Sequence, residues 1–188
     1  MIKAQNIFFP SQQFVCLNFS LAEYRTYLLS LLFAISGLAT LYIFHHINLA
    51  GQIFLPIYFF ILIGAYKFGW RVGIITAILA PLLSFSLSGM PALLILPFVI
   101  IKGCLLAAIA GFTANKLGRL SVLSILSAVI GYQLLGLVIT YLFTHNINLA
   151  LMDLRIGYPG LLLQVIGGYV LLAFIEKYER KKMGTDFE

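Results

Sequence analysis

Lys102 is an ammonium in a stretch that should be hydrocarbon. It falls about eleven residues into the apolar segment 91–114, roughly 16 Å along a helix from the turn before it. At that depth its stem cannot easily reach water, and a charge there costs about 3 kcal/mol unless it faces a polar cavity or a partner. No carboxylate occupies the interior of the apolar stretches, so two readings stand. Either Lys102 opens onto a cavity and meets an anionic or carbonyl group of a ligand, or it is structural, bonded to helix carbonyls or deprotonated.

The other groups able to recognise a polar molecule cluster at chain turns. Asp153 and Arg155 precede the last apolar stretch and either bracket a ligand or form a solvated loop pair. His45 and His46 in HHINLA, and His145 and Asn146 in HNINLA, occupy two further turns; the flanks of these six-letter segments differ, which argues against a duplicated unit. Gln52, Gln133 and Gln164 lie in or near apolar stretches, where an amide bonds either a ligand or a neighbouring helix. Tyr42, Tyr58, Tyr132 and Tyr158 offer rings for stacking.

Enzymatic and metal chemistries find little material. Two adjacent histidines and one distant one do not make a metal-site spacing, and Cys16 and Cys104 are isolated, so neither a metal nor a cofactor is expected. Ser86-Leu87-Ser88-Gly89 lies at a turn rather than deep in a helix with a histidine partner. The stretches also lack the acidic residues that would hold Mg²⁺ against a phosphate. The chain is therefore read as a non-enzyme.

Composition sets the frame. Of 188 residues, 62% are hydrophobic and 10% charged, with a mean hydropathy of +1.04, against about a quarter charged in soluble domains. The apolar runs accommodate six spans at about 26–44, 51–66, 71–88, 91–114, 120–143 and 158–178, each near the roughly 20 residues a bilayer needs, the second short and containing Pro56. The expected fold is an all-α integral membrane bundle of six helices: a single domain over 1–188, with an interfacial segment 1–24, a bundle over 25–178 and a tail from 179. No run of small residues marks a cleavage site, so the N-terminal segment reads as retained.

Orientation follows the cations. Lys3 and Arg25, Lys67 and Arg71, Lys116 and Arg119, and Lys177, Arg180, Lys181 and Lys182 all fall at one side of the six-span arrangement, which puts both termini in the cytoplasm. Topology thus accounts for the net charge of +6 without nucleic acid. The turns at 45–50, 88–91 and 145–157 then converge on one external mouth. Small residues recur at four-residue spacing as Ala22, Thr26, Ser30 and Ala34, as Gly69, Gly73 and Ala77, and as Gly103, Ala107 and Gly111. Such stripes let backbones approach closely, within one bundle or toward another subunit.

Taken with Leu55-Pro56, Gly64, Gly69, Pro81, Ser88-Gly89-Met90-Pro91 and Pro97, these features resemble a substrate-binding S component of an energy-coupling factor transporter over residues 26–178. The resemblance implies a six-helix bundle in a prokaryotic plasma membrane that captures a vitamin or related micronutrient at its external face. Partners would be a transmembrane coupling subunit and two cytoplasmic ATPases, with Ala22, Thr26, Ser30 and Ala34 matching the row of small residues that contacts the coupling subunit. Lys102, Arg155, Asp153, Gln52, Tyr58, Asn146, His145 and His46 are the substrate-binding candidates. A non-transporting membrane scaffold and a small membrane transferase using Lys102 against a lipid phosphate are the alternatives.

Overall fold

The computed structural model describes residues 12–44 and 55–182. Apart from turns and connecting segments, the described chain is helical, with one two-residue ribbon in which β1 (Gln12–Gln13) pairs antiparallel with β2 (Arg119–Leu120). Five helices are long and apolar enough to cross a membrane: α1 (Tyr24–Phe44), α3 (Trp70–Ser88), α4 (Leu96–Leu117), α5 (Val122–Thr144) and α8 (Tyr158–Lys182). Between the first two lies the shorter apolar α2 (Pro56–Phe68); α6 (Ile147–Ala150) and α7 (Met152–Arg155) are single turns joining α5 to α8.

α2 is the centre of the bundle. Ten of its thirteen residues are buried, and it packs on α1, α3, α4 and α8. A helix of this length covers about 20 Å, less than the roughly 30 Å of a hydrocarbon core, so its neighbours rather than lipid supply most of its contacts. Gly69 turns the chain into α3 with φ 100°, and a Cβ there would lie 2.8 Å from Asn18 Oδ1. The expected close-packing stripes are used inside the bundle: a Cβ on Gly73 would meet the Cβ atoms of Ala65 at 2.5 Å and Ala107 at 2.8 Å, which draws α2, α3 and α4 together.

The stripe on α1 also turns inward. Thr26, Ser30 and Ala34 are fully buried; the Ser30 hydroxyl lies 3.1 Å from Val72 O of α3, and Thr76 Oγ1 lies 3.4 Å from Ser30 O. Ala22 is exposed and precedes the helix. The surface of α1 instead carries Tyr27, Leu28, Leu31, Leu32 and Ile35. Of the two uses open to this stripe, packing within the chain is the one the structure contains. Thr26, Ser30 and Ala34, which the resemblance implied as a coupling-subunit contact, are covered within the chain itself.

α4 starts later than the sequence suggests. Residues 93–95 form a turn, and the helix opens at Leu96 with Pro97 in its first turn, where a missing N–H costs nothing. Lys102 therefore sits about 9 Å, not 16 Å, from its helix start.

The end of the bundle at Gly69 and Gly118 is stitched by the N-terminal segment. Phe14 N–H donates to Gly118 O, Leu17 N–H to Lys67 O and Phe19 N–H to Phe68 O. Tyr66 places its hydroxyl 3.0 Å from Arg119 O and 2.6 Å from Ser124 Oγ, and its ring edge meets Phe14 at 5.1 Å. Ser121 caps α5, accepting from Leu123 N–H. Cys16 lies in this same segment, where burial pushes its thiol above the ordinary range.

Lys67 departs most from its expected place in a solvated inner turn. It ends α2 with no exposed surface, and its ammonium donates to Glu176 Oε2 at 3.0 Å, Glu179 Oε2 at 2.6 Å and Val15 O at 3.3 Å. Three N–H donors meet three acceptors. The Phe14 ring lies 5.0 Å from the same nitrogen. Glu176, itself buried, is a carboxylate on α8 within the expected span 158–178, so the expectation that the spans contain none is also corrected. It serves Lys67. Glu176 and Glu179, three residues apart on α8, share the helix face that meets α2.

Removing one partner of a buried pair leaves an uncompensated charge, at a cost of about 3–5 kcal/mol. Lys67→Met is expected to destabilise by about 3 kcal/mol in detergent unfolding. Lys67→Met with Glu176→Met should recover a large part of that loss.

Candidate functional site

Lys102 comes off α4 toward α5 and is 6% exposed. Its aliphatic stem lies flat across Gly136: a Cβ at that position would meet Lys102 Cγ at 2.7 Å, Cε at 3.0 Å and Cδ at 3.1 Å. Only a residue without a side chain leaves this channel open. One turn further along α5, Thr140 is buried and its hydroxyl donates to Gly136 O at 2.7 Å, which leaves the hydroxyl oxygen as an acceptor.

The third wall is α2. Tyr58 is 4% exposed, and its hydroxyl donates to Val99 O at 3.3 Å, one turn before Lys102 on α4. Leu149 of α6 closes the top, with the buried Ala150 beside it. Tyr58, Phe98, Val99, Lys102, Thr140 and Leu149 thus line a cavity of about 30 Å³. That volume admits about one water molecule. Its polar lining is the Lys102 ammonium, which suits an acceptor such as a carboxylate or a phosphate oxygen, and two hydroxyls whose own protons go to Val99 O and Gly136 O.

A polar seam continues from this cavity into the bundle. The Tyr58 ring lies 5.6 Å from that of Tyr132, and Tyr132 donates to Gln164 Oε1 of α8 at 3.1 Å. Gln164 is therefore a link between helices. Its Nε2 and that of Gln133 are buried with no hydrogen-bond partner among the described residues. An orphaned buried donor costs about 1–3 kcal/mol.

The remaining candidates stand apart from the cavity. Asn146 is exposed and caps α6, its Oδ1 accepting from Asn148 and Leu149 N–H. Arg155 is exposed and its guanidinium donates to Asn148 Oδ1 at 3.1 Å. His145 ends α5 with φ 49°, its ring 6.4 Å from Tyr141. These three shape the α5–α8 connection from its outer surface. His45, His46 and Gln52 lie outside the described residues, as does the side chain of Asp153.

Lys102 and Tyr58 are accordingly brought together, and Gly136 and Thr140 join them. Sequence reasoning missed these two. Their signal was a glycine and a threonine four apart in an apolar helix, a spacing that puts both on one face. The chain matches no family model, no curated protein and no solved structure.

The contact between Gly136 and the Lys102 stem gives a double-mutant test. Gly136→Ala should destabilise by about 1–3 kcal/mol through overpacking. In a Lys102→Ala background the same change should cost less than half as much, because the atoms it strikes are gone; thermal unfolding of the four proteins measures the difference.

Proposed function

We propose that the chain is a membrane-embedded substrate-binding subunit of the energy-coupling factor type, which captures a small anionic micronutrient for uptake driven by separate ATPases. The observation that carries this reading is the buried Lys102, held on Gly136 and lining a cavity with Tyr58 and Thr140 at the end of the bundle away from the basic residues. Intramembrane ionisable groups are functional by default, and an ammonium lining a cavity suits a carboxylate or phosphate.

In this reading all six apolar helices cross the bilayer and both termini lie in the cytoplasm, because Arg71, Lys116, Arg119 and Lys177 gather at the inner end. The membrane is a prokaryotic plasma membrane. The partners are a transmembrane coupling subunit and two cytoplasmic ATPases; since Thr26, Ser30 and Ala34 are buried within the chain, the coupling subunit docks on another surface. A vitamin needs a cleft of roughly 300 Å³ or more, so capture requires α6 to move off α4 and α5.

One observation favours a second reading. A cavity of about 30 Å³ is what a non-transporting scaffold with a structural Lys102 would have.

A thermal-shift panel of vitamins and related carboxylates separates the two. At a ligand concentration about 100 times its Kd, binding adds about 2.7 kcal/mol, a rise in Tm of several degrees. One compound is expected to give this shift, and Lys102→Met and Tyr58→Ala to abolish it. A panel without a single shift, together with purification free of any ATPase, would leave the scaffold as the conclusion.

A further inference from the structure

A second feature lies on the outside of the bundle, at its basic end. The first residue of α3 rests on α4 so closely that a Cβ on Gly111 would meet Trp70 N at 2.6 Å. This contact lays the Trp70 indole beside α4 and leaves an apolar groove of about 440 Å³ between Trp70, Ala108, Ile109 and Phe112. Ala108, Phe112 and Lys116 are four residues apart, so the groove's floor runs up one face of α4 to a cation at the helix end.

Two cations stand at that end. The Arg71 guanidinium lies 4.8 Å from the Trp70 ring centroid, and the Lys116 ammonium 5.6 Å from that of Phe112. Each cation thus sits over a ring that lines the groove. Neither forms an ion pair among the described residues. The chain has six acidic residues, and the described carboxylates are engaged elsewhere: Glu176 and Glu179 hold Lys67, and Glu23 accepts from Ser20 N–H.

We infer that this groove binds one anionic phospholipid, an acyl chain lying along Ala108, Ile109 and Phe112 and the headgroup phosphate between Arg71 and Lys116. The charge pattern selects this occupant over a protein segment. Trp70 and the helix ends mark headgroup depth, where a phosphate is present and where basic residues attract anionic lipid. A protein partner filling the same groove would have to bring acidic groups to the edge of the hydrocarbon. The inference needs only that α3 and α4 span a membrane, and it is independent of what Lys102 binds.

Trp70 is the chain's single tryptophan, so its fluorescence reports on this groove alone. The protein is reconstituted in phosphatidylcholine vesicles containing either phosphatidylglycerol or phosphatidylcholine with brominated acyl chains, and quenching is titrated. Brominated phosphatidylglycerol is expected to quench with about thirtyfold higher relative affinity at low salt, the order two basic residues provide at an anionic surface. The preference should shrink in 0.5 M NaCl, where the Debye length falls to roughly 4 Å.

Arg71→Gln with Lys116→Gln should reduce the ratio to about one while both lipids still quench. Ala108→Phe, which fills the groove and keeps both cations, should weaken quenching by both. The inference is overturned by equal quenching from the two lipids in the native protein, or by a preference that survives the charge substitutions. It is overturned equally if inorganic phosphate removes the preference better than NaCl of matched ionic strength, which would make the site one for free anions, or if neither lipid quenches.

Discussion

The Lys67 ammonium is the point on which the bundle turns. It has no access to water, and its three donors tie α2 to two other pieces of chain: α8 through Glu176 and Glu179, and the N-terminal segment through Val15 O. A buried charge tolerates only a narrow range of geometries, because its desolvation is offset only when every donor is met. The interaction therefore fixes position more than it adds stability. It sets the depth of α2, the angle at which α8 closes over it, and the course of the segment that also pairs with β2.

Around that fixed end, small residues set the spacing. With little apolar driving force between helices in lipid, association relies on close packing and on polar links across helices. Gly73 brings α3 against both α2 and α4, Gly103 sits 3.0 Å from Ala77 by its projected Cβ, and Gly111 receives Trp70. Ser30 and Thr76 join α1 to α3, and Tyr132 joins α5 to Gln164 of α8. The same economy of side chains makes the Lys102 site: Gly136 leaves the width of one lysine stem between α4 and α5. The site and the packing are one device.

Much of this was legible in the sequence, and the limits have physical causes. The apolar helices follow from run length and composition, and their ends fall within a few residues of expectation because Gly69, Gly89 and Gly118 adopt positive φ and stop them. Lys102 announced itself as a charge in an apolar stretch. Lys67 did not. A lysine beside a turn reads as solvated, and its burial depends on two glutamates more than a hundred residues away, a pairing no local pattern contains. The stripe on α1 showed that something approaches closely, but spacing alone does not say whether the approaching surface belongs to the same chain. Asn146, His145 and Arg155 were correctly placed on one connection, yet whether a loop side chain points inward depends on how α6 sits, and that follows from tertiary contact.

The distance along the chain between Lys67 and its carboxylates also orders events during synthesis. The lysine leaves the ribosome 109 residues before Glu176, so for most of translation the shortest apolar helix carries a cation with neither counter-charge yet made. α2 can therefore adopt its final surroundings only after α8 has emerged. Completion of the C-terminal helix is the step that closes the assembly, and a nascent chain halted before it would hold α2 in a place it cannot keep.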